Sequence, residues 1–551
     1  MKTRPFQLES HYDVIIIGGG IYGATMAWEA ASRRLKVLLL EKNDFGGGTS
    51  ANSMKIIHGG LRYLQSLDIR RTWQSSRERR IFMSIAPHLV SPLRCLMPTR
   101  KQWHKSTWAM ALGLWLNDLL TIRRNAHMVP EKHIPAGKII NAVSTQKLLP
   151  AGYTPPYTGG ALWYDAQAHN TERLVLAFVL AAEKNSAHVF NYCEVQQIVA
   201  DGNKVQGVAC KDRLTGQSHQ ISARYVIHCA GHDQTLLDPW SGTVPATPYC
   251  KGVNIILNKP LVSIAVGLQT VPVLSKEVSR LLFLVPWKNK TMIGTWYFKN
   301  TATAAGAVDK SYDGKITTAE KKICLDNVHT LLPGVVTEQD NPLWHRGYLP
   351  VHGNSEVDAS QDLLQHAQVT EYGARQGPRG LYRIVGVKYT TARAVACQTI
   401  NHLGALDTGG LPASQSHHLP LYGGDFHSFD ALRQRIDSLF PATVGAEVKQ
   451  RLYENYGTTV SAIAELLKQQ PEYVKLVPGT PNIITAEIAY LLQVEYAYQL
   501  SDLLLRRVGL GTRPGDETIR FCAQWMARHY QWTPEEMAQQ IEAVYECYDQ
   551  P

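Results

Sequence analysis

Gly18, Gly20 and Gly23 stand at G-x-G-x-x-G spacing directly behind the apolar run Val14-Ile15-Ile16-Ile17. A short run rich in β-branched residues and bounded by glycine predicts a buried parallel strand. A helical pattern follows through Ala24, Ala27, Ala30 and Ala31, and a second apolar run, Val37-Leu38-Leu39-Leu40, ends in Glu41. Together these make a βαβ unit with an acid at the end of its second strand. Each part has a task in holding a dinucleotide. Gly18 permits the tight turn, Gly20 lets a pyrophosphate approach the backbone, and Gly23 lets the helix pack closely on the sheet. The helix start offers free N–H groups and about half a positive charge to the phosphates. Glu41 is placed to accept hydrogen bonds from the ribose hydroxyls.

Two further stretches have the character of a ligand site. Residues 43–65, NDFGGGTSANSMKIIHGGLRYLQ, form a loop rich in glycine and serine whose many backbone N–H groups can wrap a ligand. Basic Lys55, His58 and Arg62 lie inside it. Residues 381–403, LYRIVGVKYTTARAVACQTINHL, repeat the order strand, glycine, helix, with Gly386 at the turn and Thr390-Thr391 opening the helix.

The elements that must position these residues come next. The 551 residues suffice for about three domains and a sizeable core, and 44% hydrophobic with 19% charged residues is ordinary for a folded chain. Between the glycine segments, GVNIILN, RLLFLVPW and KTMIGTWYF read as strands in residues 245–375. The stretch from Ile69 to Ile85 reads as a helix whose arginines, Arg70, Arg71, Arg77, Arg79 and Arg80, make a solvated face. Trp103–Arg124 is an aromatic, amphipathic helix that packs on the core or faces a membrane or the active site. A Gly-, Pro- and Ser-containing linker at 408–421 precedes a helical remainder, in which 484–511 reads as one helix closed by Arg506, Arg507 and a glycine.

Charge and cysteines limit the function classes. The 56 Lys+Arg exceed the 46 Asp+Glu by ten, which suits an anionic substrate, a phosphate-rich cofactor or an acidic membrane surface. No nucleic-acid motif accompanies the excess. Nine scattered cysteines without C-x-x-C predict neither a metal site nor a disulfide framework, and Cys229 reads as a small core residue. A reducing, cytoplasmic setting is expected, peripheral at most on the inner face of a membrane, because no apolar run reaches the ~20 residues of a spanning helix.

The stretch TSANSMKIIHGGLRYL, continuing to RERRIFMSIAPHLVSPLRCLMP (Arg77–Pro98), resembles the FAD-dependent glycerol-3-phosphate dehydrogenase family, flavoproteins of the wider D-amino-acid-oxidase-type superfamily. The resemblance covers nearly the whole chain. It implies an α/β fold with a Rossmann-type FAD-binding domain, an antiparallel-sheet substrate domain and a C-terminal helical domain. The segments implied are 1–100, 161–244 and 376–407 for FAD, 101–160 and 245–375 for substrate, and 422–551 for the helices. The cofactor is then FAD, bound without a covalent link. Besides Gly18, Gly20, Gly23 and Glu41, the implied contacts are Lys42, Thr49, Ser50, Ser53, Lys55 and His58 in the loop. Val195, Ala230 and Gly231 meet it at two strand ends, and Gly386, Lys388, Thr390 and Thr391 in the closing segment. The helix start at Thr390-Thr391 would face the flavin's pyrimidine carbonyls and stabilise the negative charge that gathers there on reduction.

The family's reaction is oxidation of a secondary alcohol by hydride transfer to flavin N5. Its substrate contacts map onto Arg62, Tyr63 and Lys388. Two departures fall in the substrate domain. A family histidine, a candidate base, is replaced by Asn254, and a family arginine is replaced by Leu349; His58 or the nearby His345 and Arg346 could compensate. The family's GTTD also becomes Gly294-Thr295-Trp296-Tyr297. The resemblance therefore implies retained flavin chemistry on glycerol 3-phosphate or a related polyol phosphate or hydroxylated compound. An amine or amino-acid oxidase and a non-catalytic flavin-binding partner protein stay open as alternatives. The implied partners are a small anionic substrate, a quinone or oxygen as electron acceptor, a membrane surface and a second copy in a homodimer.

Overall fold

The computed structural model describes residues 8–101, 106–269, 281–299, 315–337, 340, 342–352, 362–406 and 410–549. The first sheet has the order Gln368–Glu371, Leu381–Val385, Ser218–His228, His11–Ile17, Val37–Leu40, His188–Phe190. All its neighbours on this path are parallel except the first pair. The runs Val14–Ile17 and Val37–Leu40 in its central strands are apolar at every position because both faces are covered. Val14 and Ile16 pack against the helices Ile21–Ser32, Thr171–Lys184 and Ala392–Ala405. Ile15 and Ile17 pack against the antiparallel hairpin Cys193–Asp201 and Lys204–Asp212 on the opposite face.

The second sheet has nine strands, in the order Leu343–Pro350, Tyr249–Leu257, Lys290–Phe298, Leu281–Trp287, Ala265–Gln269, Val90–Thr99, Gly159–Ala168, Ile56–Ile57, with Lys138–Asn141 also on Gly159–Ala168. It is antiparallel apart from the contact of Ala265–Gln269 with Val90–Thr99. The three runs read as strands between 245 and 375 are here. So are Val90–Thr99 and Gly159–Ala168, although the segments 1–100 and 161–244 were expected to serve the cofactor domain. The two strands pair with each other over their whole length, from Val90 opposite Ala168 to Thr99 opposite Gly159. An apolar run records that a strand is buried, and its partner is fixed only by the fold.

The C-terminal part is a bundle that includes the helices Phe429–Leu439, Ala446–Tyr456, Val460–Gln469, Thr485–Val494 and Asp516–Tyr530 around a core of its own. The stretch 484–511 is not one helix. It stops at Val494, Tyr496 takes a φ of +56°, and a wider π-type turn follows over Asp502–Arg507. Tertiary bonds hold the break open. Arg173 makes a two-pronged ion pair with Glu495, both bonds at 2.9 Å, and Arg507 Nε donates to the Glu495 carbonyl at 2.7 Å. The terminal arginines do not cap a helix. They reach Asp44, just beyond the acid of the βαβ unit, with Arg507 Nη1 and Nη2 each at 2.7 Å from its carboxylate. Burial works against that charge, yet Arg507 and Arg506 bring the Asp44 carboxyl down to about 2. A buried pair of this kind adds little net stability but is costly to break from one side, so it fixes where the bundle sits on the cofactor loop. Among the described residues no helix is long and apolar enough to cross a membrane, and no cluster of ligating side chains could hold a metal ion.

Candidate active site

A cleft of about 2290 Å³ opens at the C-terminal ends of the central parallel strands and runs on to the second sheet. Its glycines fall into two kinds. Gly18 takes a φ of +103°, and a Cβ there would lie 2.8 Å from the Cys229 carbonyl oxygen. A Cβ on Gly23 would lie 1.8 Å from the Gly18 carbonyl oxygen, so the chain itself demands these two. A Cβ on Gly20 would meet only Ser50 Oγ, at 3.1 Å, which leaves the space before it to a ligand. Gly20 stands at the start of the helix Ile21–Ser32, and Ser50 Oγ accepts one of its first N–H groups, that of Ile21, at 3.0 Å. An open, glycine-lined helix start at the ends of parallel strands fits a dinucleotide pyrophosphate.

Glu41 borders the cleft and braces its turn, accepting from the Gly19 amide at 2.6 Å and the Asn43 amide at 2.8 Å. Burial pushes its carboxyl up, and the two amides oppose that shift. Lys42 pairs with Asp233 at the cleft edge. Thr49 accepts from the Tyr348 amide at 2.8 Å, tying the loop to the second sheet. Ser50, Ser53, Val195, Ala230, Gly231, Gly386 and Thr390 all border the cleft. Thr391 does not; it precedes the helix Ala392–Ala405. Lys55 also stands elsewhere, contrary to its assignment as a cofactor contact. It is 1% exposed, with Nζ bonded to the Ala51 carbonyl at 2.6 Å, Thr171 Oγ1 at 2.8 Å and the Glu172 carboxylate at 2.9 Å. A buried ammonium needs such partners, and the helix Thr171–Lys184 supplies them in its first turn.

The closing turn carries Lys388. Tyr22 Oη donates to the Lys388 carbonyl at 2.8 Å and accepts from the Val387 and Lys388 amides at 3.1 and 3.2 Å. Gly386 is needed because a Cβ would lie 2.2 Å from the Tyr22 ring. Lys388 Nζ stands 3.8 Å over the Tyr63 ring, and the Arg71 guanidinium stands 4.0 Å over the same ring. Burial, with the charge of Arg71, pushes the Lys388 amine down to about 7 against the pull of Asp68. Arg71, read from sequence as part of a solvated face, borders the cleft instead. The side chain of Arg62 lies outside the described residues.

His58 is half-buried at the cleft wall and approaches an acid the sequence did not single out. Its Nδ1 lies 3.3 Å from Asp165 Oδ2, in the strand Gly159–Ala168. The Gly59 amide donates to Asp165 Oδ1 at 2.6 Å, and Arg79 pairs with the same oxygen at 3.5 Å. Burial raises the Asp165 carboxyl, but His58, Arg79 and the Gly59 amide together hold it below the usual carboxylate range. The signal available in sequence was a lone carboxylate in the otherwise uncharged strand GGALWYDAQA.

On the second sheet, Asn254 donates to the Asn52 carbonyl at 3.2 Å and accepts from Thr295 at 2.8 Å, so it serves as a spacer between loop and sheet. Leu349 borders the cleft against Gly252, whose added Cβ would lie 2.6 Å from Leu349 Cδ1. Arg346 pairs opposite Val253 in the sheet and also borders the cleft, and among the described residues its Nη1 is buried without a hydrogen-bond partner. His345 is half-buried, held edge-on near Trp287 and pushed down to about 3 by burial.

Comparison with known proteins agrees with this architecture. The family described as FAD dependent oxidoreductase matches residues 13–387, and the C-terminal domain of alpha-glycerophosphate oxidase matches 414–537. A glycerol-3-phosphate dehydrogenase of Synechocystis sp. is 27% identical, covering 100% of this chain and 98% of that protein. An aerobic glycerol-3-phosphate dehydrogenase of Staphylococcus saprophyticus is 27% identical over 91% of this chain and 87% of its own. The crystal structure of glycerol-3-phosphate dehydrogenase from Bacillus halodurans complexed with FAD shares the fold, with a TM-score of 0.71 at 23% identity over 98% of this chain and 94% of that one. With the family match spanning more than half the residues and a glycine cradle shaped for a dinucleotide, the chain belongs to the FAD-dependent oxidoreductase family, as a relative of the glycerol-3-phosphate dehydrogenases.

Proposed function

We propose that the protein oxidises the secondary hydroxyl of a small phosphorylated polyol, glycerol 3-phosphate or a close relative, to the ketone. The observation that carries this reading is the meeting of a base and two cations at one end of the cofactor cradle: His58 on Asp165, and Lys388 with Arg71 over Tyr63. Bound FAD supplies the hydride acceptor for this two-electron oxidation. The Asp165 carboxylate accepts a hydrogen bond from the Nδ1–H of His58, which leaves the Nε2 lone pair free in the neutral ring and able to accept the hydroxyl proton. Cationic side chains hold the phosphate and favour the developing alkoxide. The test is anaerobic mixing of the yellow protein with a substrate panel. Polyol phosphates should bleach the flavin and yield one ketone per flavin reduced, with glycerol far slower. Bleaching by amines or amino acids alone, with release of ammonia, would replace this reading with an amine oxidase.

We propose further that the protein docks on an anionic bilayer and passes its electrons to a quinone or to oxygen. In the helix Thr107–Leu120 and the turn after it, Trp108, Leu112, Trp115, Leu119 and Ile122 are 50–79% exposed. Their spacing puts them on one face. Leu67, Ile69 and Trp73 are exposed as well, and the helix packs on the turn Leu61–Ser66, which carries Tyr63 into the cleft. Arg77, Arg80 and Arg123, which lie close to one another, supply basic charge for acidic headgroups. Flotation with vesicles of phosphatidylcholine and phosphatidylglycerol tests this. A Trp108→Glu, Trp115→Glu double variant should bind at least about tenfold more weakly, since burying each indole is worth roughly 1.5–3 kcal/mol. Equal flotation of variant and wild type would exclude this face.

A further inference from the structure

We infer that Arg71 is a receptor for the substrate's anionic group: with Lys388 it forms a phosphate site carried by the helix Ile69–Ile85 and the closing turn, in place of a cation on the substrate sheet. This rests on the phosphorylated substrate proposed above and names where its phosphate binds. Arg71 and Lys388 converge over Tyr63 at 4.0 and 3.8 Å, and both border the cleft. Two cations brought this close in a partly desolvated place repel each other unless an anion joins them. Among the described residues, no carboxylate pairs with Arg71. Among the described residues its Nη1 reaches only the neutral Gln365 Oε1, at 3.4 Å, and its Nε is buried without a hydrogen-bond partner. Asp68 is the acid that faces the pair, but its carboxylate accepts the Arg71 backbone amide at 3.0 Å as the cap of the helix. The guanidinium lies over an aromatic ring, which favours its charge and presets its orientation for two parallel bonds to phosphate oxygens.

The opposite wall lacks a cation at the position facing Gly252. The cleft-bordering sheet position where the family resemblance leads one to look for an arginine holds Leu349, packed over Gly252. Arg346, three residues earlier, borders the cleft from the register position opposite Val253 and does not replace an arginine at 349. Arg71 therefore does from the helix side what Leu349 cannot do from the sheet. A phosphate bound there would sit beside Tyr63, which fixes the end of the substrate nearest the closing turn.

Inorganic sulfate is the probe, because it stays a dianion across the pH range of interest. Titrated calorimetrically into the FAD-loaded enzyme at pH 6.5, sulfate should bind about 10- to 100-fold more weakly to Arg71→Gln than to wild type, at unchanged FAD content. Arg71→Lys should recover part of the loss and serves as the second variant if the first holds FAD poorly. Sulfate affinity of the wild type should fall as pH rises through about 7, where Lys388 loses its proton. In Arg71→Gln that fall should move to higher pH, because a like charge beside Lys388 is gone. Equal sulfate affinity in wild type and both variants, or no binding in the wild type, overturns the inference. Arg71-dependent sulfate binding without turnover of any polyol phosphate would instead leave this site standing and reject the proposed function.

Discussion

Gly23→Ala protein will leave purification nearly colourless, with FAD affinity reduced at least about 100-fold, while Gly20→Ala protein will be yellow and lose FAD on dilution. The difference follows from what each added methyl meets. At Gly23 it would lie 1.8 Å from the Gly18 carbonyl oxygen. Gly18 cannot yield, since a φ of +103° and the Cys229 backbone on its other side already define the turn. The helix Ile21–Ser32 must move outward, and it takes with it the N–H groups that face the pyrophosphate. Overpacking alone costs roughly 1–3 kcal/mol or more, and displaced phosphate donors add to that; each ~1.4 kcal/mol is a factor of ten in affinity. At Gly20 the methyl meets only Ser50 Oγ at 3.1 Å, so the fold tolerates it and the ligand bears the cost, about tenfold. The flavin-to-protein absorbance ratio and a fluorescence titration with FAD measure both. Wild-type affinity in Gly23→Ala would mean the dinucleotide is held elsewhere.

Those glycines were legible because their spacing records a backbone path. The same holds for the helix Ile69–Ile85 and the strands Leu281–Trp287 and Lys290–Phe298, each expected within about a residue of its ends. What sequence did not convey was which side chains face the cleft. Lys55 and Arg71 look alike as basic residues near a glycine loop, yet Lys55 is sealed against Glu172 and Arg71 opens on the cleft. Only the docking of other helices decides between them. The break at Glu495 is of the same kind, because the arginine that holds it is Arg173, from a different domain. Asp165 escaped notice because its partner His58 is 107 residues away in the chain, and nothing local marks a carboxylate as a histidine's anchor.

His58→Ala should slow flavin reduction by a polyol phosphate about 10²–10⁴-fold, the usual contribution of a positioned general base, while sulfate binding stays near wild type. The geometry that supports this is the direction of every hydrogen bond around Asp165. The Gly59 amide, Arg79 Nη1, Trp163 Nε1 and His58 Nδ1 converge on its two oxygens. With acceptors only on the carboxylate, His58 must present Nδ1–H to it and keep the lone pair on Nε2. Asp165→Asn replaces one oxygen by an NH₂ group. That group would face a donor whichever way the amide turned. The least costly escape is for His58 to shift its proton to Nε2, which removes the base without removing the ring. The Asn variant should therefore lose nearly as much rate as His58→Ala, and the double variant little more, a non-additivity expected of residues that act as one unit. It will also be less stable, because Arg79 is left buried with a weakened partner. Stopped-flow reduction of the FAD-loaded variants under anaerobic conditions reads the rates directly. Wild-type reduction in His58→Ala would transfer the proton to another group at the cleft, and additive losses in the double variant would separate Asp165 from His58.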